Sequence, residues 1–282
     1  MQKKTSEKKR IAITGAASGL GKAIALHYAK AGWNVAVADI QDDDGQQVVS
    51  EIKGLGRDSF FCHCDVTKDI DVSNLHDQIV DRWGGLEIIV NNAGVATHGT
   101  MDNAPLTDWQ WVIDINLMGV VRGCKQFTSL FKQQGHGHIV NIASMAGLIY
   151  TPEMGSYNAT KAATVALSET LRFELEPYNI HTSVVCPGFF QTNLAKSARS
   201  PDAGAQELID RLLSTSKINA NDIAEIIFNA VQKKQFWILP HRSYKTLWLM
   251  KRYIPFLYQR TFGIMGQKTK HKREKAARGA SI

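Results

Sequence analysis

Tyr157 and Lys161 stand four residues apart, and Ser144 precedes them. A lone phenol transfers protons poorly at neutral pH, because its ordinary pKa is about 10. On a helix, residues at i and i+4 share a face, so the lysine can approach the tyrosine. Its positive charge favours the phenolate. Bringing the phenol from about 10 to about 7 takes roughly 4 kcal/mol of differential stabilisation. One ammonium in a partly dry site, helped by a cationic cofactor, can supply that. Tyr157 would then act as acid or base toward an alcohol or carbonyl. Tyr-x-x-x-Lys alone is common on surface helices, so the surrounding elements decide its meaning.

Those elements alternate. A short apolar strand at 10–14 runs into Gly15-Ala16-Ala17-Ser18-Gly19-Leu20-Gly21, and a helical pattern carrying Leu20, Ile24, Tyr28 and Ala31 stops at Gly32. A second strand at 34–38 is closed by Asp39. The pattern predicts helices near 42–54, 68–83, 107–134 and 220–233, and one carrying Tyr157 that ends near Pro177. Strands are predicted near 59–64, 86–91, 138–143, 180–186 and 236–239. Apolar strands alternating with helices imply an α/β fold: one doubly wound, Rossmann-type parallel sheet of about seven strands, with helices on both faces. A C-terminal helical extension follows. The predicted organisation is a basic tail at 1–9, one domain at 10–240, an apolar and basic helical extension at 241–265, and a basic disordered tail at 266–282.

The glycine-rich turn has a physical reading. Gly15 permits the tight turn, Gly19 lets backbone approach a diphosphate, and Gly21 lets the helix pack closely on the sheet. With Ser18 and Leu20 they form a phosphate-facing helix start, whose free N–H groups and partial positive charge suit an anion. Asp39 can accept hydrogen bonds from both hydroxyls of an adenine ribose and would repel a 2′-phosphate. Neither Ser18 nor Ile40 is basic, so NAD(H) is expected over NADP(H).

Taken together, these motifs resemble the classical short-chain dehydrogenase/reductase family across about residues 10–240. The matching segments are T14-G-A-A-S-G-L-G21, D65-V66, N91-N-A-G94, Asn116 in I-N-L-M-G, Ser144, Y157-N-A-T-K161 and P187-G-F-F-Q-T192. The resemblance implies a catalytic set of Asn116, Ser144, Tyr157 and Lys161. Tyr157 is the acid/base, and Ser144 holds the substrate oxygen. Lys161 lowers the tyrosine pKa and binds the nicotinamide ribose. Asn116 kinks its helix and holds a water that leads to Lys161. Asp65 and Val66 would contact adenine. Asn91, Ala93 and Gly94 would belong to the loop that stabilises the central sheet and lies near the cofactor, and Asn92 would join the cofactor-binding set. Pro187, Gly188 and Thr192 would orient the carboxamide. The implied reaction is reversible hydride transfer between NAD and a secondary alcohol or ketone, in a homodimer or homotetramer. The competing reading is a catalytically silent NAD(H)-sensing regulator, against which the intact Ser144, Tyr157 and Lys161 argue.

The substrate pocket is expected to take Ser144, Met145, Tyr150, Met154, Phe189 and Phe190, with Leu148, Ile149 and the loop to about 215 adding to the lining, and with His98 either touching substrate or standing on a surface loop. That lining suits a lipophilic substrate of sterol, retinoid or acyl type. In 241–265, Tyr244, Leu247, Trp248 and Lys251 share a helical face, and Pro255 should split the segment into two short helices. Two uses remain open for it: capping the pocket or packing on a subunit, and contact with a membrane surface through 241–282.

Charge and cysteine narrow the class. The net +7 is +4 in residues 1–10 and +10 in 240–282, which leaves −7 for 11–239. Nucleic acid is not expected as a partner, because the body is acidic and 266–282 has no aromatic residue to stack on bases. Cys62-His63-Cys64 lacks a second ligand pair at finger-like spacing, so no metal and no disulfide are expected from the four cysteines. There is no apolar signal segment and no spanning stretch, and the default setting is cytoplasmic.

Overall fold

The structure is a computed structural model that describes residues 9–190, 198–201, 216 and 218–279. Thr192 and most of the loop to about 215 lie outside the described residues, as do residues 1–8 of the N-terminal tail.

Seven strands form one parallel sheet in the order β3-β2-β1-β4-β5-β6-β7. They are β1 (Arg10–Thr14), β2 (Asn34–Asp39), β3 (Ser59–His63), β4 (Ile88–Asn91), β5 (Gly137–Ile142), β6 (Ile180–Val185) and β7 (Trp237–Ile238). Around them lie α1 (Gly19–Lys30), α2 (Asp42–Gly54), α3 (Asp69–Trp83), α4 (Leu106–Ile113), α5 (Gly119–Gln134), α6 (Gly155–Leu175) and α7 (Ala220–Gln232). The extension is α8 (Arg242–Tyr253) and α9 (Pro255–Gly279). The central strands are apolar throughout because both sheet faces are covered. One face packs Ile11, Ile13, Val35 and Val37 under α1, α2 and α7. The other packs Ala12, Ala36 and Ile89 under α3 and α5.

The strand order reverses between β1 and β4, and an open α/β sheet binds ligands at the carboxyl ends of the strands beside such a switch point. The chain therefore brings the loops after β1 and β4 together. Asn92 joins them: its Nδ2 donates to the Thr14 and Gly15 carbonyls at 2.9 Å each. The expected helix at 107–134 is interrupted by a π-helical turn at Asp114–Met118, which separates α4 from α5. Cys62 and Cys64 are buried together in the second core cluster, as strand alternation requires, and all four cysteines are free.

The C-terminal stretch departs from expectation. Pro255 does end α8, but α9 is 25 residues long and runs to Gly279, through most of the segment expected to be a disordered tail. Ala, Lys, Arg and Gln favour helix. The Lys270–Glu274 pair and the Arg273–Glu153 ion pair tie the helix to itself and to the body.

Candidate active site

Gly15 has φ +66°, a left-handed conformation that favours glycine, and it begins the turn out of β1. A Cβ on Gly21 would collide with the Gly15 carbonyl, so the close approach at Gly21 is to the loop itself rather than to the sheet face. Ser18 caps α1 without a side-chain hydrogen bond, and the first turn of α1 holds no acidic residue. The N–H groups and dipole of that turn are left to an anion. Asp39 is buried at the end of β2 and accepts from the Ala17 amide at 2.8 Å and the Gln41 amide at 3.1 Å. It thereby fixes the glycine-rich loop while keeping acceptor capacity. These features fit the diphosphate and ribose of a dinucleotide.

Asp65 and Val66, the pair expected to contact adenine, follow β3. Asp65 accepts from the Thr67 amide and hydroxyl at 3.0 and 2.7 Å. Burial raises its pKa, but the hydrogen bonds outweigh burial and hold the carboxyl below its ordinary value. Val66 is buried against Gly119 at the start of α5. Asn91 donates to Asn141 Oδ1 at 2.9 Å, a buried tie between β4 and β5.

The residues expected to react gather where β5 ends. Ser144 caps a short 3-10 turn at Met145–Gly147, and its Oγ accepts from the Ala146 amide at 3.1 Å and donates to the Pro187 carbonyl at 3.4 Å. Tyr157 and Lys161 lie one turn apart on α6, both buried. The Lys161 ammonium is 5.8 Å from the Tyr157 ring centroid and donates to the Ile142 carbonyl at 2.9 Å. Burial pushes the phenol up to about 12, and a hydrogen bond from Ser144 works against that rise. Burial also pulls the lysine down to about 8. The lowering of the tyrosine expected from the sequence is therefore not a property of this protein conformation. The ammonium is directed onto a backbone carbonyl, and burial disfavours both charged forms.

Asn116 sits inside the π-helical turn. Its Oδ1 accepts from the Val95 amide and its Nδ2 donates to the Val95 carbonyl, each at 2.8 Å. The Thr164 hydroxyl donates to the Asn116 carbonyl at 3.2 Å. The helix is thus π-helical where a kink was expected, and the Asn116 side chain fastens it to the loop carrying Ala93 and Gly94. The Gly94 position faces both Asn116 Oδ1 and Lys161 Nζ.

The expected pocket residues divide. Ser144, Met154 and Phe189 are half-buried around the site. Met145, Leu148 and Ile149 are buried in a third core cluster, against which Tyr244, Leu247 and Trp248 of α8 pack. Phe190 is buried in the first core cluster with Leu20 and Ile24, so its ring serves the fold rather than a pocket wall. Tyr150 is 47% exposed, with the Lys251 ammonium 3.5 Å from its ring centroid. His98 lies 3.8 Å from Glu153.

Three positioning contacts escape sequence reasoning. The Gly188 amide donates to His241 Nδ1 at 3.0 Å, and burial keeps that imidazole on the neutral side. The Tyr150 amide donates to the Tyr258 hydroxyl at 3.0 Å. Glu153, at φ +64°, accepts from Arg273 Nε at 2.6 Å. Each joins residues more than fifty positions apart, and no local pattern announces such a pair.

A dinucleotide cradle at the switch point, with a serine, tyrosine and lysine at the carboxyl end of the neighbouring strand, defines a nucleotide-binding α/β oxidoreductase. The family model for the short chain dehydrogenase matches residues 9–203, and the chain belongs to the short-chain dehydrogenase/reductase family. A CLA biosynthesis dehydrogenase/reductase of Lactiplantibacillus plantarum is 32% identical over 253 residues, 83% of this chain and 88% of that protein. A short-chain dehydrogenase/reductase from Burkholderia phymatum, solved in complex with NAD, superposes with a TM-score of 0.84 at 31% identity, covering 88% of this chain and 94% of that one. An alcohol dehydrogenase from Thermococcus sibiricus, solved with 5-hydroxy-NADP, gives a TM-score of 0.71 at 25% identity, covering 82% and 95%.

Proposed function

We propose that this oxidoreductase transfers hydride between NAD(H) and a secondary alcohol or ketone of lipophilic character, with Tyr157 as general acid/base. The observation that carries the reading is the convergence of Ser144, Tyr157 and Lys161 beside Gly94 and the open start of α1.

The nicotinamide, when bound, supplies the hydride acceptor in oxidation and the donor in reduction. Gly15, Ser18, Gly19, Leu20 and Gly21 would hold its diphosphate, Asp39 the adenine ribose, and Asp65 with Val66 the adenine. Asn92, Ala93, Gly94, Pro187, Gly188 and Thr192 complete the set. Asp39 supports NAD over NADP: the carboxylate is already fixed by two amides, and a 2′-phosphate there would meet like charge. Ser144 Oγ holds the substrate oxygen. Tyr157 takes the alcohol proton in oxidation and returns it in reduction. Lys161 binds the nicotinamide ribose and, once drawn from the Ile142 carbonyl, favours the phenolate. Asn116 fixes the loop at Val95 and would hold the water that leads to Lys161.

Met154, half-buried and packed with Tyr157, and half-buried Phe189 support a lipophilic substrate. A homodimer or homotetramer through the α4–α5 and α6 faces belongs to the same reading, as does a cytoplasmic setting. No helix among the described residues is long and apolar enough to cross a membrane.

The test follows NADH absorbance with purified protein, NAD and secondary alcohols graded in chain length and ring size. Turnover should rise with lipophilicity and fall by about 100-fold or more in Tyr157→Phe. Equal turnover in Tyr157→Phe would refute the acid/base assignment. NAD binding by calorimetry with no turnover on any alcohol would favour the sensor reading instead.

A further inference from the structure

Residues 226–273 contain no Asp or Glu. Within this carboxylate-free stretch, α8 and α9 each commit one face to the body. Tyr244, Leu247 and Trp248 of α8, and Tyr258 and Phe262 of α9, pack on the third core cluster. Residues 258, 262, 266, 269 and 273 follow helical spacing, and Arg273 ends the series on Glu153. That spacing fixes which face of α9 points outward.

At the elbow between the two helices, large apolar side chains face away from the body. Tyr253 is 73% exposed, Ile254 43%, Phe256 71% and Leu257 40%. Leu249 and Ile264 extend the patch along the outward faces of α8 and α9. Exposed Arg252 and Arg260 flank it, and exposed Lys245 and Lys268 lie farther out on the same two helices. Exposed large apolar side chains gathered at one elbow in this way mark an interaction surface.

We propose that the α8–α9 elbow docks this protein on an anionic lipid surface, with Tyr253, Ile254, Phe256 and Leu257 entering the headgroup–acyl boundary and Arg252 and Arg260 meeting lipid phosphates. Charge complementarity selects this occupant. An apolar knuckle ringed by cations matches an anionic interface, and long basic side chains reach headgroups while their stems lie along apolar surface. A second copy of the same elbow would bring like charges together with no carboxylate from 226–273 to answer them. Neither helix is apolar enough to span, so the contact lies along the surface.

The geometry gives the docked state an orientation. Lys251 Nζ donates to the Leu148 carbonyl at 2.7 Å, the Tyr258 hydroxyl receives the Tyr150 amide at 3.0 Å, and Arg273 holds Glu153 at 2.6 Å. The helices that meet lipid are therefore fastened to segment 148–153, between Ser144 and Tyr157. Delivery of a membrane-dissolved substrate to that segment rests on the proposed function; the docking itself does not.

The test is sedimentation of the full chain with vesicles of phosphatidylcholine alone or mixed with phosphatidylglycerol. Wild type should pellet with the mixed vesicles and far less with phosphatidylcholine, and salt should release it. Phe256→Ser/Leu257→Ser should lower the partition about tenfold or more. Arg252→Gln/Arg260→Gln should lower it roughly 30-fold on mixed vesicles. Thermal unfolding and NAD calorimetry check that both variants fold. Partition unchanged in either variant, or no wild-type partition, overturns the proposal. A fall in particle mass by light scattering in Phe256→Ser/Leu257→Ser would also overturn it, by assigning the elbow to a subunit contact. Failure of the catalytic reading would appear only in turnover and leave sedimentation unchanged.

Discussion

Lys161→Met should make the protein more stable at neutral pH while removing its activity. The ammonium is buried, and burial carries its pKa from the ordinary 10.5 to about 8. That displacement corresponds to about 3 kcal/mol against the charged form in the folded state. Below about pH 8 the folded protein bears this cost in full. Between pH 8 and 10.5 the unfolded chain binds the extra proton, so stability rises with pH. At pH 10 roughly 1 kcal/mol of the cost remains. Methionine has similar bulk and no charge, so the variant escapes the cost at every pH. It does leave the Ile142 carbonyl without its 2.9 Å donor, a pH-independent loss of about 1–2 kcal/mol. The stability difference, variant minus wild type, should therefore shrink by about 2 kcal/mol from pH 7 to pH 10. Urea unfolding followed by circular dichroism at both pH values measures it, and other titrations common to the two proteins cancel. A difference that stays constant with pH, or grows toward pH 10, would refute the burial argument.

Two further substitutions test separate parts of the site. Asp39→Asn keeps the shape but removes the charge that the Ala17 and Gln41 amides share. NAD affinity by calorimetry should weaken by about 1.5–3 kcal/mol, with NADP affected less, and equal losses for both would count against Asp39 as the discriminator. Asn116→Ala strands the Val95 amide and carbonyl, each now bonded at 2.8 Å. The midpoint of unfolding should fall by an amount equivalent to about 1–3 kcal/mol, and unchanged stability would show that the π-helical turn does not depend on this buckle.

The sequence alone determined much of this molecule. Strand–helix alternation over 10–240 sufficed for a seven-stranded parallel sheet, because strands covered on both faces must be apolar throughout and need helical crossovers. Gly15 and Asp39 were legible because a left-handed turn and a carboxylate at a strand end are local requirements. Tyr157 and Lys161 were legible because helix geometry fixes the relation of i to i+4. The tertiary structure decided what depends on distant partners. Phe190 reads as pocket lining in sequence, but packing against α1 takes it into the core. The π-helical turn at Asp114–Met118 follows from a bond to Val95 that no helical periodicity encodes. Lys161 alone suggests an acidified tyrosine; burial sets the opposite direction, and the ammonium is taken up by the Ile142 carbonyl. The tail is the sharpest case. Its composition reads as solvated charge, yet Arg273 meets Glu153, 120 positions away. Periodicity reports which face of an element is apolar, whereas the partner of that face is fixed only when the whole chain has packed.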